Sequence, residues 1–185
     1  MTMGTLTYTD LVGVDLGKLN TAVTDWKSVV DGLKKLESDA RSGMLKKSDG
    51  ARWDGLNATV TREFVGKTAK ELEDLYKEAN SIWVILDDAH SQLTAIQSKV
   101  KSLVASAQED GFSISDNSDG TVRFDESGDG GSRSLDSTLS YTEAVNHEMR
   151  RAVTFDVLAK RALDKIHGGD PSDAGHAHYA SLLDV

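Results

Sequence analysis

The predicted fold depends mainly on residues 65–107, VGKTAKELEDLYKEANSIWVILDDAHSQLTAIQSKVKSLVASA. The apolar residues of this stretch follow one another at alternating intervals of three and four residues, and Thr68 occupies one of these positions. This spacing places them on one side of an α-helix with coiled-coil periodicity. Because no proline interrupts the pattern, the sequence predicts one continuous helix from about Thr59 to Glu109. The stripe comprises Val65, Thr68, Leu72, Leu75, Ala79, Ile82, Leu86, Ala89, Leu93, Ile96, Val100, Leu103 and Ala107.

A helix of about 50 residues is about 75 Å long and needs packing partners along its length. Four larger apolar residues lie beside the stripe and widen it: Phe64, Tyr76, Trp83 and Ile85. A wide stripe indicates more than one neighbouring helix at that point.

A second long helix is predicted upstream. Asp15 is a suitable N-cap, and a stripe from Leu16 to Met44 follows it, which predicts a helix of about 35 residues. A turn at Ser48–Asn57 then leads into the longer helix. If the two helices pack antiparallel, the numbers of facing residues sum to about 106, so Trp26 lies opposite Ala79. The end of the longer helix then extends beyond its partner.

The pattern of apolar and polar residues changes after Gly111. Residues 112–115 and 121–124 alternate apolar and polar residues around a turn that ends in Asp119-Gly120, which predicts a β-hairpin. Helical pattern resumes near Asp136, with a restart at Thr154 or Asp156 and a last short helix from Asp173. We therefore expect a mainly α fold with a long helical hairpin (residues 1–110). A β-hairpin and two or three shorter helices (residues 111–185) pack on it.

Composition excludes several classes of protein. The 185 residues carry a net charge of −9, and neither half has the basic excess that nucleic acids or anionic membranes require. No cysteine is present, which excludes disulfides, thiolate zinc sites and cysteine nucleophiles. No apolar run is long enough to insert into a membrane, and the residues before Lys18 lack the basic start of a cleavable signal peptide.

The triplet Trp53-Asp54-Gly55 lies between the two predicted long helices. Two such helices joined at Trp-x-Gly resemble the WXG superfamily of type VII (ESX-like) secretion substrates. Residues 111–185 resemble the extension of longer actinobacterial relatives, in which a WXG-type region often precedes a variable and sometimes toxic domain. Trp53 and Gly55 therefore have two roles to test, one in forming the turn and one, implied by the resemblance, in export.

The resemblance implies a function. The chain would be an export substrate, or the N-terminal delivery region of a larger secreted effector or toxin, and a secretion-machinery ATPase would recognise it. It would be made in the cytoplasm and secreted without a cleavable signal peptide. The alternative is a cytoplasmic coiled-coil assembly or chaperone subunit without enzymatic activity.

The family's second export element, Tyr-x-x-x-Asp/Glu, is not matched here. Tyr76, Tyr141 and Tyr179 are each followed at the fourth position by a residue without a carboxylate, and the nearest sequence is Phe112-x-x-x-Asp116. The resemblance then implies a pairing partner that supplies the element, either another helical WXG-like protein or a second copy. The candidate partner-facing residues are Phe64, Tyr76, Trp83, Ile85, Leu93, Ile96, Val100 and Leu103.

Two clusters carry metal-binding residue types. Asp125, Ser127, Asp129, Gly130 and Asp136 partly match a calcium loop, but the eighth position is Ser132 and no helix is predicted to enter the loop. His167, Asp170, Asp173, His176 and His178 could hold zinc and serve a metal-dependent enzyme. We favour a solvated acidic loop and a polar connection, with no metal or cofactor. Because no nucleophile-elbow or phosphate-loop motif occurs, the sequence predicts that the chain is not an enzyme.

Overall fold

The computed structural model describes residues 6–51, 55–126, 135–166 and 179–185, and the chain is mainly helical. Its helices are α1 (Tyr8–Gly13), α2 (Leu16–Asp39), a π-helical segment (Ala40–Leu45), α3 (Lys46–Gly50), α4 (Leu56–Glu109), α5 (Leu135–Ile166) and a short 3-10 helix (Leu182–Asp184). Its strands are β1 (Phe112–Asp116) and β2 (Val122–Glu126).

The long central helix is confirmed. Helix α4 contains 54 residues without a break and begins slightly before the predicted start. Gly111, which has a φ of 81°, follows its last turn, and its amide donates to the carbonyl oxygen of Gln108. A glycine in this conformation satisfies a terminal carbonyl and stops the helix.

The upstream helix is also confirmed, with an irregularity. Helix α2, the π-helical segment and α3 follow one another without a gap from Leu16 to Gly50. The Asp15 carboxylate accepts a hydrogen bond from the Gly17 amide at 3.0 Å, as expected of an N-cap. The turn is shorter than predicted, since α3 continues to Gly50. Helix α1 was not predicted; a capping box between Thr7 and Asp10 begins it.

The β-hairpin is confirmed. Strands β1 and β2 pair antiparallel, with Phe112 opposite Glu126 and Asp116 opposite Val122. Gly120 has a φ of 88°, a conformation that a glycine adopts without a Cβ penalty.

The predicted division of residues 136–167 into two helices is wrong. Helix α5 is one helix of 32 residues. The Thr154 hydroxyl donates to the carbonyl oxygen of Arg150 at 2.9 Å, so this side chain bonds back within the helix instead of capping a new one. Further along, the described residues contain only the 3-10 turn Leu182–Asp184 within the predicted last helix, most of which lies outside them.

The chain folds as two compact units. The sheet-bearing unit comprises Met1–Lys18 and Asp88–Ala159, and the turn-bearing unit comprises Leu19–Asp87 and Lys160–Val185. This division differs from the predicted boundary at residue 110, because α4 and α5 each contribute residues to both units.

The sheet-bearing unit has one apolar core. Leu11 of α1, the last turns of α4, both strands and α5 supply its buried residues. The predicted overhang of α4 is therefore covered by other parts of the same chain. The core residues are Leu11, Ile96, Val100, Val104, Ala107, Phe112, Val122, Phe124, Val145, Met149 and Ala152.

The turn-bearing unit holds α2 and the first half of α4 together. The Trp26 indole N–H donates to the carbonyl oxygen of Ala79 at 2.8 Å, so the predicted pairing of these two residues is confirmed. The Arg41 guanidinium bonds Glu73 at 2.7 Å. The Lys27 ammonium lies 4.9 Å from the centre of the Trp83 ring, which is a cation–π contact.

Candidate functional site

Of the predicted Trp-x-Gly motif, the structure describes Gly55, which lies between α3 and α4. Gly55 has a φ of 109°, in the region that side chains disfavour. Its carbonyl oxygen accepts from the amides of Ala58 and Thr59, and so begins α4. A Cβ placed on Gly55 would meet no atom within 4 Å, so backbone conformation alone favours glycine here. Trp53 lies outside the described residues.

Arg62 ties the start of α4 to the end of α3. Its guanidinium donates to the carbonyl oxygens of Ser48 at 3.3 Å and Ala51 at 3.1 Å. A cation at the carboxyl end of a helix satisfies terminal carbonyls and interacts favourably with the helix dipole. Arg62 therefore bonds the end of α3, and the Gly55 conformation begins α4.

Three large apolar side chains next to this turn are exposed. Leu56, Val60 and Phe64 are 81%, 56% and 66% exposed. Their spacing of four residues places them on one side of α4, and we call them the open stripe. Ala58 and Val65, on another side of the same turns, are buried. The open stripe is thus an apolar face of the turn-bearing unit, separate from its core.

The same side of α4 is covered further along the helix. Ser81 and Ile85 lie three heptads after Val60 and Phe64, and both are buried. The Ser81 hydroxyl accepts a hydrogen bond from the Tyr179 amide at 3.4 Å, and Leu182 is buried in this unit. The C-terminal residues therefore lie on this side of the helix at Ser81.

Charge is unevenly distributed along the sequence, and the segment that contains the open stripe has a basic excess. Residues 41–70 contain seven lysines and arginines and three acidic residues, a net charge of +4 in a chain of −9. The remaining residues therefore carry −13. The exposed lysines of this segment are Lys46, Lys47, Lys67 and Lys70.

An ion-pair network follows on the next turns of α4. Hydrogen bonding from Lys77 and its positive charge, with a smaller contribution from Arg41, lower the pKa of Glu73. The Lys70 ammonium lies 3.6 Å from the Asp74 carboxylate. Glu73 and Asp74 are therefore both paired with lysines of the same helix.

The structure separates the predicted partner-facing residues into three groups. Phe64 is exposed. Tyr76, Trp83, Leu93 and Leu103 are half-buried, the last two against the core of the sheet-bearing unit. Ile85, Ile96 and Val100 are fully buried within the chain.

The remaining predicted motifs are less accessible or not described. Phe112 is buried, and the Asp116 carboxylate accepts hydrogen bonds from Thr9 and Ser118, so this motif serves the sheet-bearing core. Most of the 125–136 loop and the whole His167–His178 cluster lie outside the described residues. Among the described residues, no helix combines the length and hydropathy needed to cross a membrane.

Comparisons of the chain with protein-family models, curated proteins and solved structures find no match. The site therefore rests on the geometry of this chain alone.

Sequence reasoning missed Leu56 and Val60. Both lie outside the heptad stripe, and the predicted helix began after Leu56. The signal that could have found them is the apolar residue at every fourth position from Leu56 to Phe64.

Proposed function

We propose that this chain is a WXG-like protein of type VII secretion, either an export substrate or the delivery region of a larger secreted effector. The observation that carries the proposal is that the sequence Trp53-Asp54-Gly55 falls between α3, which ends at Gly50, and α4, which begins at Leu56, with Gly55 at a positive φ.

The contacts in the turn-bearing unit support an antiparallel helical hairpin. As residue numbers rise from Trp26 to Arg41, those of their partners on α4 fall from Ala79 to Glu73. The Ser48 carbonyl contacts Arg62, which continues the same trend to the turn. This order is what two helices folded back at Trp53-Asp54-Gly55 produce.

Secretion by an actinobacterial host with a type VII system tests the proposal. Trp53→Ala should strongly reduce the amount in the culture filtrate, while the purified variant keeps its helical circular dichroism. Leu139→Ala, an exposed apolar residue in the sheet-bearing unit, is the matched control and should leave export unchanged. Export of Trp53→Ala at the parental level, or export lost equally in both variants, would refute the proposal and favour a cytoplasmic assembly subunit.

A further inference from the structure

Helix α1 is held at both ends by side chains from distant parts of the chain. The Asp116 carboxylate accepts hydrogen bonds from the Thr9 amide at 2.9 Å and from the Thr9 hydroxyl at 2.7 Å. At the other end, the Gln97 side-chain amide donates to the carbonyl oxygens of Leu11 at 2.8 Å and Val14 at 3.0 Å. Because the backbone groups at the ends of a helix lack partners within it, these two side chains complete the hydrogen bonding of α1.

Between its two ends, α1 is anchored by apolar contacts. Leu11 is 1% exposed and belongs to the core of the sheet-bearing unit. Three half-buried residues of the same segment pack against that core: Leu6, Tyr8 and Val12. Gln97, Asp116 and the part of the core that encloses Leu11 therefore form a receptor site for a short helix, which we call the α1 site.

Helix α1 is a separable occupant of this site. It contains six residues, and a helix this short does not persist without packing. Only Val14 and Asp15 join α1 to α2, and Val14 has an extended backbone and is 47% exposed. The cap of α2, in which Asp15 accepts from Gly17, does not involve α1. A change of backbone conformation at Val14 would therefore carry α1 out of the α1 site.

We propose that the α1 site is an interaction surface whose partner is α1 of a second copy of this chain. Two copies that exchange α1 form an isologous pair, because each copy supplies the helix that the other receives. The exchanged helix makes the contacts that the single chain already makes, so no further complementary surface is required. This inference does not depend on the proposed function in secretion.

The chain's own α1 competes with the helix of a second copy. The apparent affinity for that helix is reduced in proportion to the fraction of α1 sites that are open. Weakening the chain's own α1, without altering the α1 site, should therefore strengthen binding of the same helix added from solution.

A peptide with the sequence of residues 6–16, added to the purified full chain, tests this competition. Thr7→Ala with Asp10→Ala removes the capping box of the chain's own α1 and replaces no residue of the α1 site. This variant should bind the labelled peptide at least about fivefold more tightly than the parent in fluorescence anisotropy, since more sites are open. Equal affinities, or no saturable binding to either protein, would overturn the proposal.

Two controls test whether the change in affinity is specific. Ser181→Ala with Asp184→Ala removes a second capping box, at the 3-10 helix of the turn-bearing unit, and should leave the peptide affinity at the parental value. A peptide of the same length from residues 55–65, which includes the start of α4, should not bind. An equal gain in the control variant, or equal binding of the control peptide, would contradict the proposal.

Gln97→Ala locates the bound peptide. Added to the Thr7→Ala, Asp10→Ala variant, it should weaken peptide binding at least about fivefold, since the hydrogen bonds to the carbonyl oxygens of the peptide are lost. Gln92→Ala, at a half-buried glutamine of the same helix, is the matched control and should have little effect. Equal binding in the two variants would place the peptide elsewhere and overturn the proposal.

Gly13→Ala with Val14→Ala tests exchange between whole chains. Alanine favours continuation of α1 into α2, which carries α1 away from its own site. A Cβ on Gly13 would meet no atom within 4 Å, so this substitution introduces no clash. Sedimentation velocity should show a dimer whose fraction rises with concentration and which is lost when Gln97→Ala is added. A variant that stays monomeric at every concentration, or a dimer that persists with Gln97→Ala, would contradict the exchange.

Discussion

The two ends of α4 carry apolar residues at helical spacing but meet different surroundings. In the sheet-bearing unit Val100 and Val104 are buried by strands and by α5. In the turn-bearing unit Val60 and Phe64, on the same helix, are exposed. The comparison shows that helical spacing of apolar residues does not by itself determine burial, because other segments of the chain decide which of them are covered.

Two phenylalanine-to-alanine substitutions should show the largest difference in stability between the two ends of α4. Phe124→Ala removes a buried ring that packs 6.0 Å from Tyr141, and it should lower the free energy of unfolding by about 3–5 kcal/mol. Phe64→Ala removes an exposed ring and should change the free energy of unfolding by less than about 0.5 kcal/mol. Urea unfolding followed by circular dichroism measures both. Similar losses of stability in the two variants would show that the open stripe is covered.

Overpacking tests the pairing of α2 with α4. Ala79 is buried next to Trp26, so Ala79→Leu should lower the free energy of unfolding by about 1–3 kcal/mol. Ala95→Leu, at an exposed position of the same helix, is the control and should have little effect. An unchanged urea midpoint for Ala79→Leu would show that the two helices pair differently.

The Asp116 carboxylate links α1 to the β-hairpin and should give the sheet-bearing unit an acid-dependent stability. Partial burial acts to raise its pKa, but hydrogen bonds from Thr9 and Ser118 outweigh this and hold the pKa below its ordinary value. The contribution is therefore present above the unfolded-state pKa of about 3.9 and is lost as pH falls through the lower folded-state value.

Asp116→Ala should remove this contribution. We expect a loss of about 1 kcal/mol at neutral pH, because several hydrogen bonds to a largely solvated carboxylate are lost. The difference between parent and variant should shrink as pH falls below 3.9 in urea titrations. A difference that stays constant with pH would contradict the role of the carboxylate.

Replacing a buried hydroxyl near the turn should have the smallest effect on the free energy of unfolding. Within the described part of the chain, the Ser48 side-chain oxygen is buried without a hydrogen-bond partner. Ser48→Ala should therefore leave the free energy of unfolding unchanged or raise it by up to about 1 kcal/mol. Ser81→Ala is the matched control, since the Ser81 hydroxyl bonds both Lys77 and Tyr179, and it should cost about 1 kcal/mol. A comparable cost at Ser48 would show that this hydroxyl has a partner.

Sequence alone predicted much of the fold because the signals were local. The heptads of α4, the Asp15 cap and the Asp119-Gly120 turn each depend on neighbouring residues and are confirmed. The continuity of α5 was missed, since Thr154 has the residue type of a cap but bonds within its own helix. Which residues face a partner could not be predicted, because the burial of Ile96 and Val100 depends on segments distant in sequence.

Thiol labelling of Val60→Cys and Val100→Cys compares directly how accessible the two ends of α4 are. The parent contains no cysteine, so each variant reports one position on the same helix with the same replacement. The residue-60 thiol should react at nearly the rate of an unstructured peptide. The residue-100 thiol should react at least about a hundredfold more slowly, since labelling there requires local opening. Similar rates at the two positions would contradict the finding that Val60 is exposed on α4 while Val100 is enclosed in the core of the sheet-bearing unit.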